Sequence, residues 1–88
     1  MTSRNFLSKR RTNMRHVVKI DVPGRHGYSF AVAFNAENEM ADHESNALDL
    51  ALEANLFEED GDYDYAMAED ITDSEYDIEH FKDCTYEV

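Results

Sequence analysis

The chain has little of what small proteins use to brace a fold or run chemistry: one cysteine, one proline, three glycines and no tryptophan in 88 residues. The single cysteine, Cys84, closes no internal disulfide, so nothing demands an oxidising compartment. Gly24, Gly27 and Gly61 fit neither glycine-rich phosphate-binding pattern. There is no run of 18 apolar residues, which excludes a transmembrane helix. The N-terminus is basic but lacks the apolar core of a secretory signal, so the expected compartment is the cytoplasm. Cations are scarce too: Lys and Arg total 8 against 20 Asp and Glu, for a net charge of −12.

Hydrophobic residues make up 42% of the chain and aromatics 11%, too apolar for an unfolded chain and enough for one modest core. The charges are segregated. Residues 1–27 hold Arg4, Lys9, Arg10, Arg11, Arg15, Lys19 and Arg25 against one acid, Asp21. Residues 28–88 hold one base, Lys82, against 19 acids. The chain therefore reads as a basic arm over 1–14, expected to be mobile, followed by a single acidic domain over 15–88.

Hydrophobic periodicity divides that domain. Val18, Ile20 and Val22 alternate with Val17, Lys19 and Asp21, which predicts a strand over His16–Val22. Pro23 to Gly27 form a turn. Tyr28, Phe30, Val32 and Phe34 alternate with Ser29, Ala31 and Ala33, a second strand that closes an antiparallel hairpin. The small Ala31 and Ala33 face admits a close-packed layer or is simply wet. From Met40 the period becomes helical, with Ala47, Leu48, Ala51 and Leu52 on one stripe, which predicts a helix over 40–56 capped by Asn38, Asp42 or Ser45. Asp62–Thr72 alternates again, with Tyr63, Tyr65, Met67 and Ile71 inward and Asp60, Asp62, Asp64 and Asp70 outward. The tail reads as a short helix over 74–82, capped by Asp73 or Ser74, and a strand over 83–87. The expected fold class is α+β: a small antiparallel or mixed sheet, β-β-α-β plus an α/β tail. One main helix packs on an aromatic row of Tyr28, Phe30, Phe34, Tyr63 and Tyr65.

No catalytic or cofactor signature appears. With Gly61 at the sixth position of a calcium loop, Leu56 and Met67 fall where carboxylates belong. A loose cation among Asp60, Asp62 and Asp64 is poorly caged by alternating strand residues. His80 and Cys84, four apart, supply two ligands where a structural zinc needs four, and His16, His26 and His43 fall on other elements. Cys84 beside His80 lacks an orienting third group, and acidic surroundings raise a thiol pKa. The expectation is a non-enzymatic protein with no cofactor and no metal.

That leaves the carboxylates. A charge run is most simply a solvated face, yet self-repulsion is a burden on a domain with little stability to spare. The candidate partner-binding residues are Asp60, Asp62, Asp64, Glu69, Asp70, Asp73, Glu75, Tyr76, Asp77 and Glu79. A duplex shows one charge per roughly 1.7 Å, while one strand face offers one per about 6.7 Å. Helix and tail carboxylates must therefore join the strand to imitate nucleic acid. Such a surface disfavours direct nucleic-acid or membrane binding and favours a basic surface on a larger, nucleic-acid-binding host protein. The basic arm, Lys9, Arg10, Arg11 and Arg15, then folds onto the acidic body or a neighbour's rather than onto phosphate. Self-association through arm and body, as a homodimer or larger assembly, is the alternative.

The order of strand (YSFAVAF), Ala/Leu helix (NALDLALEAN) and strand (YDYAMAED) resembles the fold of phage-encoded inhibitors of bacterial RNA polymerase. The acid content is similar to that of some anti-CRISPR and DNA-mimic proteins. The resemblance covers residues 28–71 at the level of pattern and carries no functional position across. It implies a host-takeover inhibitor that occludes a basic groove.

Overall fold

The computed structural model describes residues 13–37 and 42–88. Lys9, Arg10 and Arg11 lie outside these residues.

Strand β1 (Asn13–Val22) and strand β2 (Tyr28–Glu37) form the expected antiparallel hairpin, in register from Val22↔Tyr28 to Asn13↔Glu37. The strand begins earlier than His16, so Met14 and Arg15 belong to the sheet rather than to an arm. The five-residue loop closes with Gly27 N–H donating to the Gly24 carbonyl at 3.2 Å. A Cβ at Gly27 would come within 2.9 Å of the Val22 carbonyl oxygen, so a side chain there would force the loop apart.

Helix α1 (His43–Glu53) is capped at both ends and stops short of the predicted 56, while Asn38 and Met40 lie outside the described residues. Asp42 Oδ1 accepts from the Ser45 N–H at 2.9 Å. At the other end Asn55 takes a left-handed φ of 61°, Asn55 N–H donates to the Leu52 carbonyl, and Leu56 N–H to that of Ala51. This is a Schellman closure with asparagine in the position glycine usually takes.

The expected strand over Asp62–Thr72 is corrected in its first half. Asp62–Tyr65 form a single helical turn, α2, and only Met67–Asp70 form strand β3. Gly61, at φ 93°, turns the chain into α2. The Asp62 carboxylate accepts from the Tyr28 hydroxyl at 2.6 Å and from the Glu59 N–H at 3.2 Å, which holds the turn closed. Tyr63 is half-buried, and Tyr65, placed by the sequence in the aromatic row, is 69% exposed. The tail follows the expected order with shorter elements: helix α3 (Glu75–His80) capped by Ser74, a 3₁₀ turn at Lys82–Cys84 where the sequence predicts the start of the strand, and strand β4 (Thr85–Glu87).

The sheet order is β3-β1-β2-β4, with β1 antiparallel to β2 and β3, and β4 parallel to β2. Strands β2, β3 and β4 thus run the same way. The chain crosses the sheet from β2 to β3 through α1 and returns from β3 to β4 through α3. Two crossovers in opposite directions share one hand only if they lie on opposite faces. Accordingly α1 covers Val18, Ile20, Val22, Phe30, Val32 and Phe34, while Ile71, Ile78 and Phe81 cover Val17, Ala31 and Ala33. The alanine face is therefore a second core, not a wet surface.

Candidate functional site

The same topology divides the acidic residues. Asp60, Asp62 and Asp64 precede β3 on the α1 side of the sheet, beside Tyr28 and the hairpin loop. Asp73, Glu75, Tyr76, Asp77 and Glu79 follow β3 and lie on or before α3, on the other side. Glu69 stands between them on the β3 edge. Of the ten residues read as one patch, eight form two groups that bracket β3, and Glu69 and Asp70 lie on β3 itself.

Within the groups, some carboxylates have work inside the domain. Asp62 is bound by Tyr28, and Asp77 accepts from Ser74, whose hydroxyl caps α3. Glu69 pairs with Lys19 at 3.0 Å, and Glu79 with Lys82 at 2.9 Å. Contact with Glu69, and less so with Asp21, raises the Lys19 pKa above its ordinary value. Desolvation, then the bond to Asp62, raises that of the Tyr28 hydroxyl. On the α1 side Tyr63 donates to Asp49 at 2.6 Å, a bond that raises the tyrosine pKa. Asp60, Asp64, Asp73 and Glu75 are exposed and form no ion pair among the described residues. Each group carries one bared aromatic: Tyr65 at 69% exposure before β3 and Tyr76 at 78% after it.

Arg15, grouped by the sequence with the cations of the basic arm, lies in β1 and reaches over β2 to both carboxylate oxygens of Glu87 in β4. The fork raises the Arg15 pKa and lowers that of Glu87.

Asp70 requires a correction. The sequence places it on the outer acidic face, but Asp70 pairs with Val18 and Ala68 with Ile20, which puts both on the α1 side. Alanine suits the space beneath α1, and Met67 and Glu69 take the other side, where Glu69 finds Lys19. Thr72 donates both its N–H, at 2.9 Å, and its hydroxyl to Asp70 Oδ1. The same Thr72 oxygen accepts the Val17 N–H at 3.0 Å, tying the end of β3 to β1.

Beside Asp70 lie two histidines that the sequence reading left on separate elements. His16 points from β1 to the α1 side, and His43 is the first residue of α1. Their rings stack with centroids 3.8 Å apart and planes 23° apart. His16 is buried, yet neither ring nitrogen has a hydrogen-bond partner, nor does His43 Nδ1. A buried polar atom left unpaired costs about 1–3 kcal/mol, large for a domain this small. Linear spacing gave no signal for this meeting, because His16, His43 and Asp70 are joined only by the β1–β3 pairing and the α1 crossover. His26 lies in the hairpin loop and His80 ends α3, where it stacks on Tyr76.

No helix among the described residues is long and apolar enough to cross a membrane. No protein-family model, curated protein or solved structure matches the chain.

Proposed function

We propose that this protein is a non-enzymatic inhibitor that binds a basic, nucleic-acid-binding groove on a larger host protein. The observation that carries the reading is the pair of acidic groups bracketing β3, each with unpaired carboxylates and one exposed tyrosine. A flat partner would meet one group only. A groove lined by Lys and Arg that takes the β3 edge between its walls would meet both. The carboxylates come from α2, β3 and the start of α3, the mixture of elements needed to raise charge density above that of a lone strand. Acids steer the encounter and the tyrosines supply contact area.

The test uses substitutions that spare the internal bonds: Asp64→Lys, Asp73→Lys and Glu75→Lys together, leaving Asp62, Asp70 and Asp77 intact. The full chain should capture a Lys/Arg-rich protein from a bacterial lysate at low salt. It should release that protein at high salt and compete with duplex DNA for it. The triple variant should fold normally by circular dichroism and lose the partner. Capture that ignores salt, DNA and the three reversals would overturn the proposal.

A further inference from the structure

We infer that His16, His43 and Asp70 form a binding site for a divalent transition metal, best fitted by zinc. Among the described residues these three are the group of potential ligands that converges, with one donor atom from each lying within 4.8 Å of the others. Two imidazoles and a carboxylate are the donor set of three-ligand zinc and other first-row metal sites, whereas calcium and magnesium prefer oxygen alone.

Burial points the same way. His16 is 5% exposed and lies against Phe34 and against His43 in the first turn of α1, where a buried ring would ordinarily find protein hydrogen-bond partners. Instead both nitrogens, together with Nδ1 of His43, lack partners. A neutral imidazole carries one lone pair and one N–H, and a metal would take up the lone pair of the unprotonated nitrogen, which no protein donor reaches. The carboxylate is already oriented: Thr72 holds Asp70 Oδ1 through two hydrogen bonds and is itself anchored to Val17, the kind of outer support that fixes metal-binding carboxylates. Phe34 walls the site, its ring 6.0 Å from that of His16 and 6.4 Å from that of His43.

Ligands around tetrahedral zinc sit about 3.3 Å apart, so the three donors must draw in and the stacked rings must splay. His43 is only half-buried at the start of its helix and has room to make that rotation. Three protein ligands leave the fourth position open. The positive end of α1 works against a cation there, and the Asp70 charge together with the net −12 of the chain works for it.

The experiment is calorimetric titration of the full chain with zinc chloride alone, with cobalt absorption as the readout of coordination and thermal unfolding as the third measurement. We expect one zinc per chain, tetrahedral-type cobalt bands, and a rise in Tm that the same concentration of magnesium or calcium does not produce. His43→Ala and Asp70→Asn should each weaken zinc binding at least tenfold, while His26→Ala and His80→Ala leave it unchanged. Because His16 is in the core, His16→Leu is the second arm: without metal its Tm should match or exceed that of the parent, and its zinc response should vanish. Weak binding at several equivalents per chain, equal responses to magnesium, or indifference to His43→Ala and Asp70→Asn would assign the ion to surface carboxylates and overturn the site.

Discussion

The two faces of the sheet are built in opposite ways. On the α1 side the strands supply the bulk, Ile20, Phe30, Val32 and Phe34, and the helix brings the small residues Ala47 and Ala51. On the α3 side the strands supply Ala31 and Ala33, and the connection brings the bulk, Ile71, Ile78 and Phe81. Both arrangements interdigitate large with small at close-packed density. They differ in autonomy. The α1 face is laid down by a hairpin of two ten-residue strands and a helix capped at both ends. The α3 face depends on a six-residue helix and a three-residue strand. A helix that short has no stability of its own. The second face should therefore open before the first.

Deleting a phenylalanine from each face is the sharpest way to break this comparison. Phe30→Ala should cost about 3–5 kcal/mol and lower the global melting transition, since the hairpin and α1 share that core. Phe81→Ala removes the same atoms, but its loss should be local. In that variant hydrogen exchange should accelerate in α3 and β4 while the β1–β2 amides keep their protection. Equal and global loss in both variants would mean the faces fold as one unit.

The next effect down concerns space rather than loss. Ala33 is fully buried beneath the α3 connection, so Ala33→Leu should overpack it and cost about 1–3 kcal/mol. Denaturant unfolding of this variant should show a lower midpoint. A neutral result would mean that the α3 layer stands off the sheet. Smaller still is Tyr28→Phe on the α1 side. It removes the hydroxyl that donates to Asp62 and accepts from the Glu58 N–H at 2.9 Å, and should cost about 1 kcal/mol. Its effect on exchange should be confined to residues 58–65.

How much of this was written in the sequence differs by element. The hairpin's turn and the facing of its strands were legible, because alternation and the Pro-Gly loop fix register locally, but its open end, which reaches back to Asn13 and on to Glu37, was not. Helix α1 was legible in position but not in length, since Asp42 was one of three eligible caps and Asn55 takes a conformation that glycine would normally advertise. The segment 62–65 was misread. Tyr-Asp-Tyr alternation is compatible with a strand, and what decides for a helical turn is the bond from Tyr28 to Asp62, 34 residues away in sequence. The acidic residues are plain in the sequence but their arrangement is not, because the split follows from crossover handedness, a property of the whole sheet. The histidine cluster needed both the β1–β3 register and the α1 crossover, neither of which leaves a trace in spacing.

The smallest effect tests how β4, the last strand of the weaker face, is held. Its three residues pair with β2, and Arg15 spans β2 over the alanine face to grip Glu87 from the far side. The bond from Arg15, and then its charge, depress the Glu87 pKa below the ordinary 4.5. In the folded chain the carboxylate therefore releases its proton at lower pH than in the unfolded one. The stabilisation is fully present above 4.5 and is lost as pH falls through the lower folded value. Both side chains are exposed, so the contribution is small and screened by salt. Glu87→Gln should leave the melting temperature nearly unchanged at acidic pH and lower it slightly at neutral pH. The difference should appear first in exchange of the β4 amides and shrink in high salt. If β4 exchanges identically in parent and variant at neutral pH, backbone pairing alone retains the strand. The contrast between the two faces would then rest on packing, with no electrostatic clasp at its weaker end.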